Sequence, residues 1–150
     1  MTETLQAQIN SAVKVAMKAR EKERLGVLRL ITAELKRVEV DERRELGDDD
    51  VITILTRMRK QRQDSLTQYR DAGRDDLADQ EAFEIEIVQG FLPQPLTEAE
   101  LTAVIEDAIV TSGAAGPRDM GKVMGVLKAK IAGRADLGQV SGIVKSKLVS

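Results

Sequence analysis

Apolar residues recur at three- and four-residue steps along almost the whole chain, and Gly, Pro or a charged joint interrupts each run. That spacing lines one face of a helix, whereas a strand alternates every second residue. The first run, within residues 3–20, is Leu5, Ile9, Ala12, Val13, Ala16 and Met17. After the joint Arg20-Glu21-Lys22-Glu23, a second helix runs to about Arg44 through Leu25, Leu28, Ile31, Leu35 and Val38. Gly47 closes that unit, and Asp48-Asp49-Asp50 opens a third helix to about Ala72, acids in a first turn being favoured by the helix dipole. Gly73 breaks it, and a fourth helix spans about Asp75 to Gly90 with Leu77, Ala78, Phe83, Ile85 and Val88. Aromatic residues make up only 2% of the chain, so its core must be built from aliphatic side chains. The fold class expected is all-α. Short connections favour antiparallel neighbours, so residues 1–92 are expected as an N-terminal four-helix antiparallel bundle or pair of hairpins.

Phe91-Leu92-Pro93-Gln94-Pro95-Leu96 ends this part. Two prolines with one residue between them cannot continue a helix, and each biases its predecessor toward extended backbone. Residues 93–96 are therefore expected as a short linker, and residues 97–150 as a small three-helix tail domain. Thr97-Glu98-Ala99-Glu100 is a capping box at the start of a fifth helix running to about Thr111. A glycine-containing loop follows, and Pro117 suits a first helical position.

The remainder, Asp119 to Leu148, reads as two short helices around an Ala-Gly-Arg-Ala joint. Met120, Val123, Met124, Leu127 and Ile131 share one helical face, and Val140, Ile143, Val144 and Leu148 form the next stripe. Gly133 stands where a left-handed residue would end the first helix, and Asp136 where a side chain would cap the second. Gly121 and Gly125 lie inside the first helix, where each should cost about 0.5–1 kcal/mol relative to alanine. They share a flank with Lys128 and Ala132 that carries little side-chain bulk. Either another helix of the chain packs closely there, or the flank receives the backbone of a ligand such as RNA. No repeat or low-complexity tract is expected.

Charge favours the ligand. Arg118, Lys122, Lys128, Lys130, Arg134, Lys145 and Lys147 oppose only Asp119 and Asp136, a local charge of +5 in a chain whose total is −2. A basic face on an acidic protein is a polyanion footprint. In the third helix Arg57, Arg59, Lys60 and Arg62 either extend that footprint or pair with Asp64, Asp71 and acids of the second helix.

Asp119-Met120-Gly121-Lys122-Val123-Met124-Gly125, Gly133-Arg134-Ala135-Asp136 and Phe91-Leu92-Pro93-Gln94-Pro95-Leu96 together resemble the YqeY-like family. They are also similar to the tail domain of the B subunit of the amidotransferase that amidates misacylated tRNA, the GatB/YqeY domain. The resemblance covers nearly the whole chain. It implies a helical tail that contacts tRNA while the carbon–nitrogen ligase chemistry, with glutamine as amide donor, takes place elsewhere.

The chain has no histidine and no cysteine, which removes the commonest bases and nucleophiles. None of its serines stands in a Gly-x-Ser-x-Gly elbow, and no phosphate-binding Gly-rich loop is present. No catalytic residue, metal ligand or cofactor is expected. The function expected is an accessory protein that binds tRNA, through phosphate contacts from Lys122, Lys128, Lys130 and Arg134. Gly121, Gly125 and Gly133 would let a sugar-phosphate backbone approach. Amidotransferase or aminoacyl-tRNA synthetase components are the protein partners this implies. The alternative is an interaction module docking a partner helix on the Gly121/Gly125 flank. With no signal-like start and no run of about 18 apolar residues, a cytoplasmic protein without a membrane partner is expected.

Overall fold

Seven α-helices follow from these patterns, and a computed structural model describes them over residues 3–149, with no strand among the described residues. They are α1 (Leu5–Ala19), α2 (Lys22–Glu42), α3 (Asp48–Asp71), α4 (Asp75–Gln89), α5 (Glu98–Ser112), α6 (Met120–Ile131) and α7 (Leu137–Val149). The chain divides into two compact units, Met1–Leu92 and Pro93–Ser150.

In the first unit the apolar stripes meet in one core. Ile9 from α1, Leu28, Ile31 and Leu35 from α2, Val51 and Leu55 from α3, and Val88 from α4 are almost completely buried in it. α3 packs most extensively on α4, and α1 on α2. Thr4 Oγ1 accepts the Ala7 N–H at 3.1 Å and so caps α1. Two of the three acids that open α3 have separate side-chain partners. Asp48 Oδ1 accepts the Leu5 N–H at 3.0 Å, satisfying a donor that α1 cannot use itself. Asp50 accepts the Gly47 N–H at 2.9 Å and both terminal nitrogens of Arg44 at 2.8 Å.

The arginines in the middle of α3 turn mainly toward α4. Arg59 Nη1 donates to Gln89 Oε1 at 2.8 Å. The Arg62 guanidinium faces Glu84 at 3.6 Å, with both side chains less than a fifth exposed. The acids named from sequence, Asp64 and Asp71, form no ion pair with them among the described residues.

In the second unit α6 lies against both α5 and α7. Leu101, Ile105, Ala108, Val123, Leu127, Ile131, Val140 and Val144 form its core. The capping box closes as the sequence reads it: Thr97 Oγ1 accepts the Glu100 N–H at 3.1 Å, and Glu100 Oε1 accepts the Thr97 N–H at 3.2 Å. These bonds, the backbone donor foremost, hold the Glu100 carboxyl below its ordinary range. Pro117–Asp119 form one 3-10 turn that leads into α6. Gly133 ends that helix with φ +73°, the left-handed conformation that glycine adopts without strain.

The glycine face of the tail as a candidate nucleic-acid interface

The outward side of α6 carries almost no side-chain bulk. Gly121, Gly125, Lys128 and Ala132 are all exposed, and steps of four, three and four residues set them in one row along the helix. Apart from the adjoining backbone of α6 itself, a Cβ placed on Gly121 or Gly125 would meet no described atom within 4 Å. Among the described residues no other helix of this unit packs closely on the flank, so packing within the unit does not explain the two glycines.

The cations are less united than their sequence clustering suggests. Lys122 sits beside the row, 67% exposed, with Nζ a loose 3.7 Å from Asp119 Oδ1. Lys128 is exposed and has no ion pair among the described residues. Lys130 faces another way: its Nζ meets Asp107 Oδ2 of α5 at 3.0 Å. Arg134 is half-buried, and its Nε donates to the Gln94 carbonyl at 2.8 Å. Gly133 is buried and reserved for the helix end, so an incoming backbone could not use it. Of the seven candidate residues, the structure therefore gathers Gly121, Gly125, Lys122 and Lys128 on one exposed side, with Lys130, Arg134 and Gly133 holding the unit together.

Asp119 and Asp136 also differ. Asp136 Oδ1 accepts the Gly138 N–H at 3.3 Å and caps α7. Asp119 instead folds back onto the Ala115 N–H at 2.8 Å. That bond is the main reason its carboxyl stays below the ordinary range, with Lys122 adding to it.

The sequences of α6 and α7 repeat one pattern. Asp119-Met-Gly-Lys-Val-Met-Gly-Val-Leu-Lys-Ala-Lys-Ile131 aligns with Asp136-Leu-Gly-Gln-Val-Ser-Gly-Ile-Val-Lys-Ser-Lys-Leu148, so the expectation of no repeat is corrected. The equivalence extends to the contacts. Val123 and Val140 are both fully buried. Lys130 pairs with Asp107, and its counterpart Lys147 pairs with the adjacent Glu106 at 3.1 Å. Gly125 and Gly142 are both exposed with open space above them, and Lys128 and Lys145 follow three residues later on the same faces. The signal in the sequence is the shared spacing of glycines and lysines, offset by about one helix and its joint.

The acids of α5 also change the electrostatics. From Asp75 to Pro117 there are ten acidic residues and no Lys or Arg. Four of those acids lie in α5, so the tail unit holds seven cations against six acids, a net charge of only +1. Any anion would respond to the local placement of Lys122, Lys128 and Lys145 more than to a strong field around the whole unit.

A family model described as Yqey-like protein matches residues 6–148. The chain belongs to the YqeY-like family. Curated relatives of this YqeY-like chain include an uncharacterised protein of Schizosaccharomyces pombe, 31% identical over 90 residues, which are 60% of this chain and 73% of the relative. The altered inheritance of mitochondria protein 41 of Pyrenophora tritici-repentis is 26% identical over 126 residues, 83% of this chain and 69% of the relative. Its namesake from Eremothecium gossypii is 28% identical over 106 residues, 69% of this chain and 58% of the relative. Both namesakes are designated mitochondrial, which overturns the expectation of a generic cytoplasmic protein. That expectation rested on the lack of a secretory signal and of a membrane span, and neither distinguishes the cytosol from the mitochondrial interior. No helix among the described residues is long and apolar enough to cross a membrane.

Proposed function

We propose that this YqeY-like protein is an accessory factor that binds folded RNA, with tRNA as its ligand, through the outward face of α6. One observation carries the reading. Gly121 and Gly125 each cost the helix about 0.5–1 kcal/mol relative to alanine, and no neighbour among the described residues occupies the space they leave. Residues kept at a stability cost with no internal packing reason are a mark of a functional surface. Lys122 and Lys128 flank that space and supply the charge for phosphate contacts. Lys145 repeats the arrangement on α7. The scarcity of aromatic side chains leaves little means of stacking on unpaired bases, so recognition goes by backbone shape.

The resemblance to the amidotransferase tail makes assistance to tRNA-dependent amidation the favoured setting. The catalytic groups would come from a partner, because this chain has no histidine or cysteine.

Binding of tRNA to the full chain at a series of salt concentrations tests the proposal. Three phosphate contacts predict a log–log slope of about −2 to −3. Lys128→Ala should weaken binding and flatten the slope by about one unit. Gly125→Leu should abolish binding while leaving the fold intact. No measurable affinity for tRNA would defeat the reading. Salt-independent capture of a protein helix, lost in Gly125→Leu, would establish the interaction module in its place.

A further inference from the structure

The outward face of α2 carries a seven-residue pattern of its own. The buried side of this helix is Val27, Leu28, Ile31 and Leu35. On the opposite side Gly26, Leu30, Ala33, Arg37 and Val40 follow at alternating steps of four and three residues, and all five are exposed. Leu30 is 50% exposed and Val40 65%, so the row leaves large apolar side chains in water. A Cβ on Gly26 would meet no described atom within 4 Å beyond the adjoining backbone of α2. Such spacing is the seam by which one helix of a coiled coil meets another, with Leu30 and Arg37 at its a positions and Gly26, Ala33 and Val40 at its d positions. The small residues Gly26 and Ala33 would let a second backbone come close.

The charges beside this seam are sorted by sign. The g positions on one flank hold Arg29 and Lys36, and the e positions on the other hold Glu34 and Asp41. Arg29 and Lys36 are exposed and have no ion pair among the described residues. Between parallel helices a g residue faces the e residue five places further along the partner. Two parallel copies would therefore set Arg29 against Glu34 and Lys36 against Asp41, each twice by symmetry. Antiparallel copies would set the basic flank against itself and the acidic flank against itself. Arg37 would face its own copy, but its charge is already met. Its Nη2 donates to Glu34 Oε1 at 2.6 Å and its Nη1 to Asp41 Oδ2 at 3.0 Å. We infer that the outward face of α2 is a self-association surface, on which a second copy of this chain docks its own α2 in parallel across a two-fold axis.

Sedimentation equilibrium of the full chain from micromolar to millimolar concentration tests this. The seam is short, which places it at the small end of specific interfaces, so the dimer is weak and the apparent mass should climb gradually toward twice that of the monomer. Arg29→Glu with Lys36→Glu makes both flanks acidic without breaking an ion pair of the chain, and should weaken association by about tenfold or more. The chain has no cysteine, so Val40→Cys introduces one thiol per chain, which meets its copy only in the parallel pair. Under mild oxidation it should cross-link much faster than Val15→Cys, placed at a similarly exposed position on α1. A chain that stays monomeric throughout overturns the inference and leaves the face to a helix of a different protein. Dimerisation unchanged by the double reversal, or cross-linking no faster at Val40 than at Val15, overturns it as well. Should the double reversal unfold the first unit, the cross-linking pair decides. No RNA enters these measurements, so the dimer can fail while the RNA reading stands.

Discussion

Arg62 enters the first unit with its Nε–H buried and without a hydrogen-bond acceptor, while Glu84 stands 3.6 Å away. Its Nη1 donates to the Met58 carbonyl at 3.2 Å, which leaves Glu84 as the countercharge. Burial, with Glu84 as a second cause, raises the carboxyl of neighbouring Glu81 above its ordinary value. Removing Glu84 strands a desolvated guanidinium. Glu84→Ala should therefore cost about 2–3 kcal/mol in urea unfolding, and the double change Arg62→Met with Glu84→Leu should recover most of that loss. At the surface, Asp50 behaves differently. The Arg44 bonds, with the Gly47 N–H second, lower its carboxyl to about 2 from an ordinary 3.8. A folded value below the unfolded one means the stabilisation is complete above about pH 4 and is lost as the pH falls through about 2. The melting temperature of Asp50→Asn should accordingly fall less than that of wild type over this window. Sequence reading placed both residues on the correct helix. It could not pair Arg62 with Glu84, because a residue 22 positions away on another helix leaves no trace in local periodicity.

Helix starts were easier to read than helix ends. Thr97 and Asp136 each accept a backbone N–H of the helix they precede, and their side chains announce that role; Thr4 does the same for α1, which the sequence reading began one residue ahead of this cap. By contrast, α1 and α2 end on Arg20 and Arg43, which take positive φ values of 58° and 53° without being glycine. No residue-type rule would have chosen arginine there. Glycines in the tail serve opposite ends, and substitution separates them. Gly125→Ala, in open space within α6, should stabilise the protein by about 0.5–1 kcal/mol. Gly133→Ala, at φ +73°, should destabilise it by about 1–2 kcal/mol. Thermal melts of the two variants will show shifts of opposite sign. A destabilised Gly125→Ala would mean that the helix itself needs the glycine, and the case for a ligand surface would weaken with it.

At the scale of the molecule, two separate cores imply two separately measurable stabilities. Leu127 is fully buried in the second core and Leu55 in the first. Each Leu→Ala change should cost about 2–5 kcal/mol. Native-state hydrogen exchange should place most of that loss in α5–α7 for Leu127→Ala and in α1–α4 for Leu55→Ala. The all-α class was legible because helical periodicity runs through nearly the whole sequence. The makeup of the basic face was not. Counting charge from Arg118 onward leaves out the acids of α5, which face Lys130 and Lys147 only after folding. Which lysines stay available is a property of tertiary pairing, and composition is silent on it.

The absence of any cation from Asp75 through Pro117 also decides how the junction at Pro93 can be cut. Trypsin, which needs a basic side chain in its specificity pocket, has no cleavage point between Arg74 and Arg118. Even complete tryptic digestion therefore leaves α4, Pro93 and α5 on one peptide. A glutamate-specific protease has Glu86 and Glu98 on either side of Pro93, and cleavage there would separate the tail from the first unit's chain.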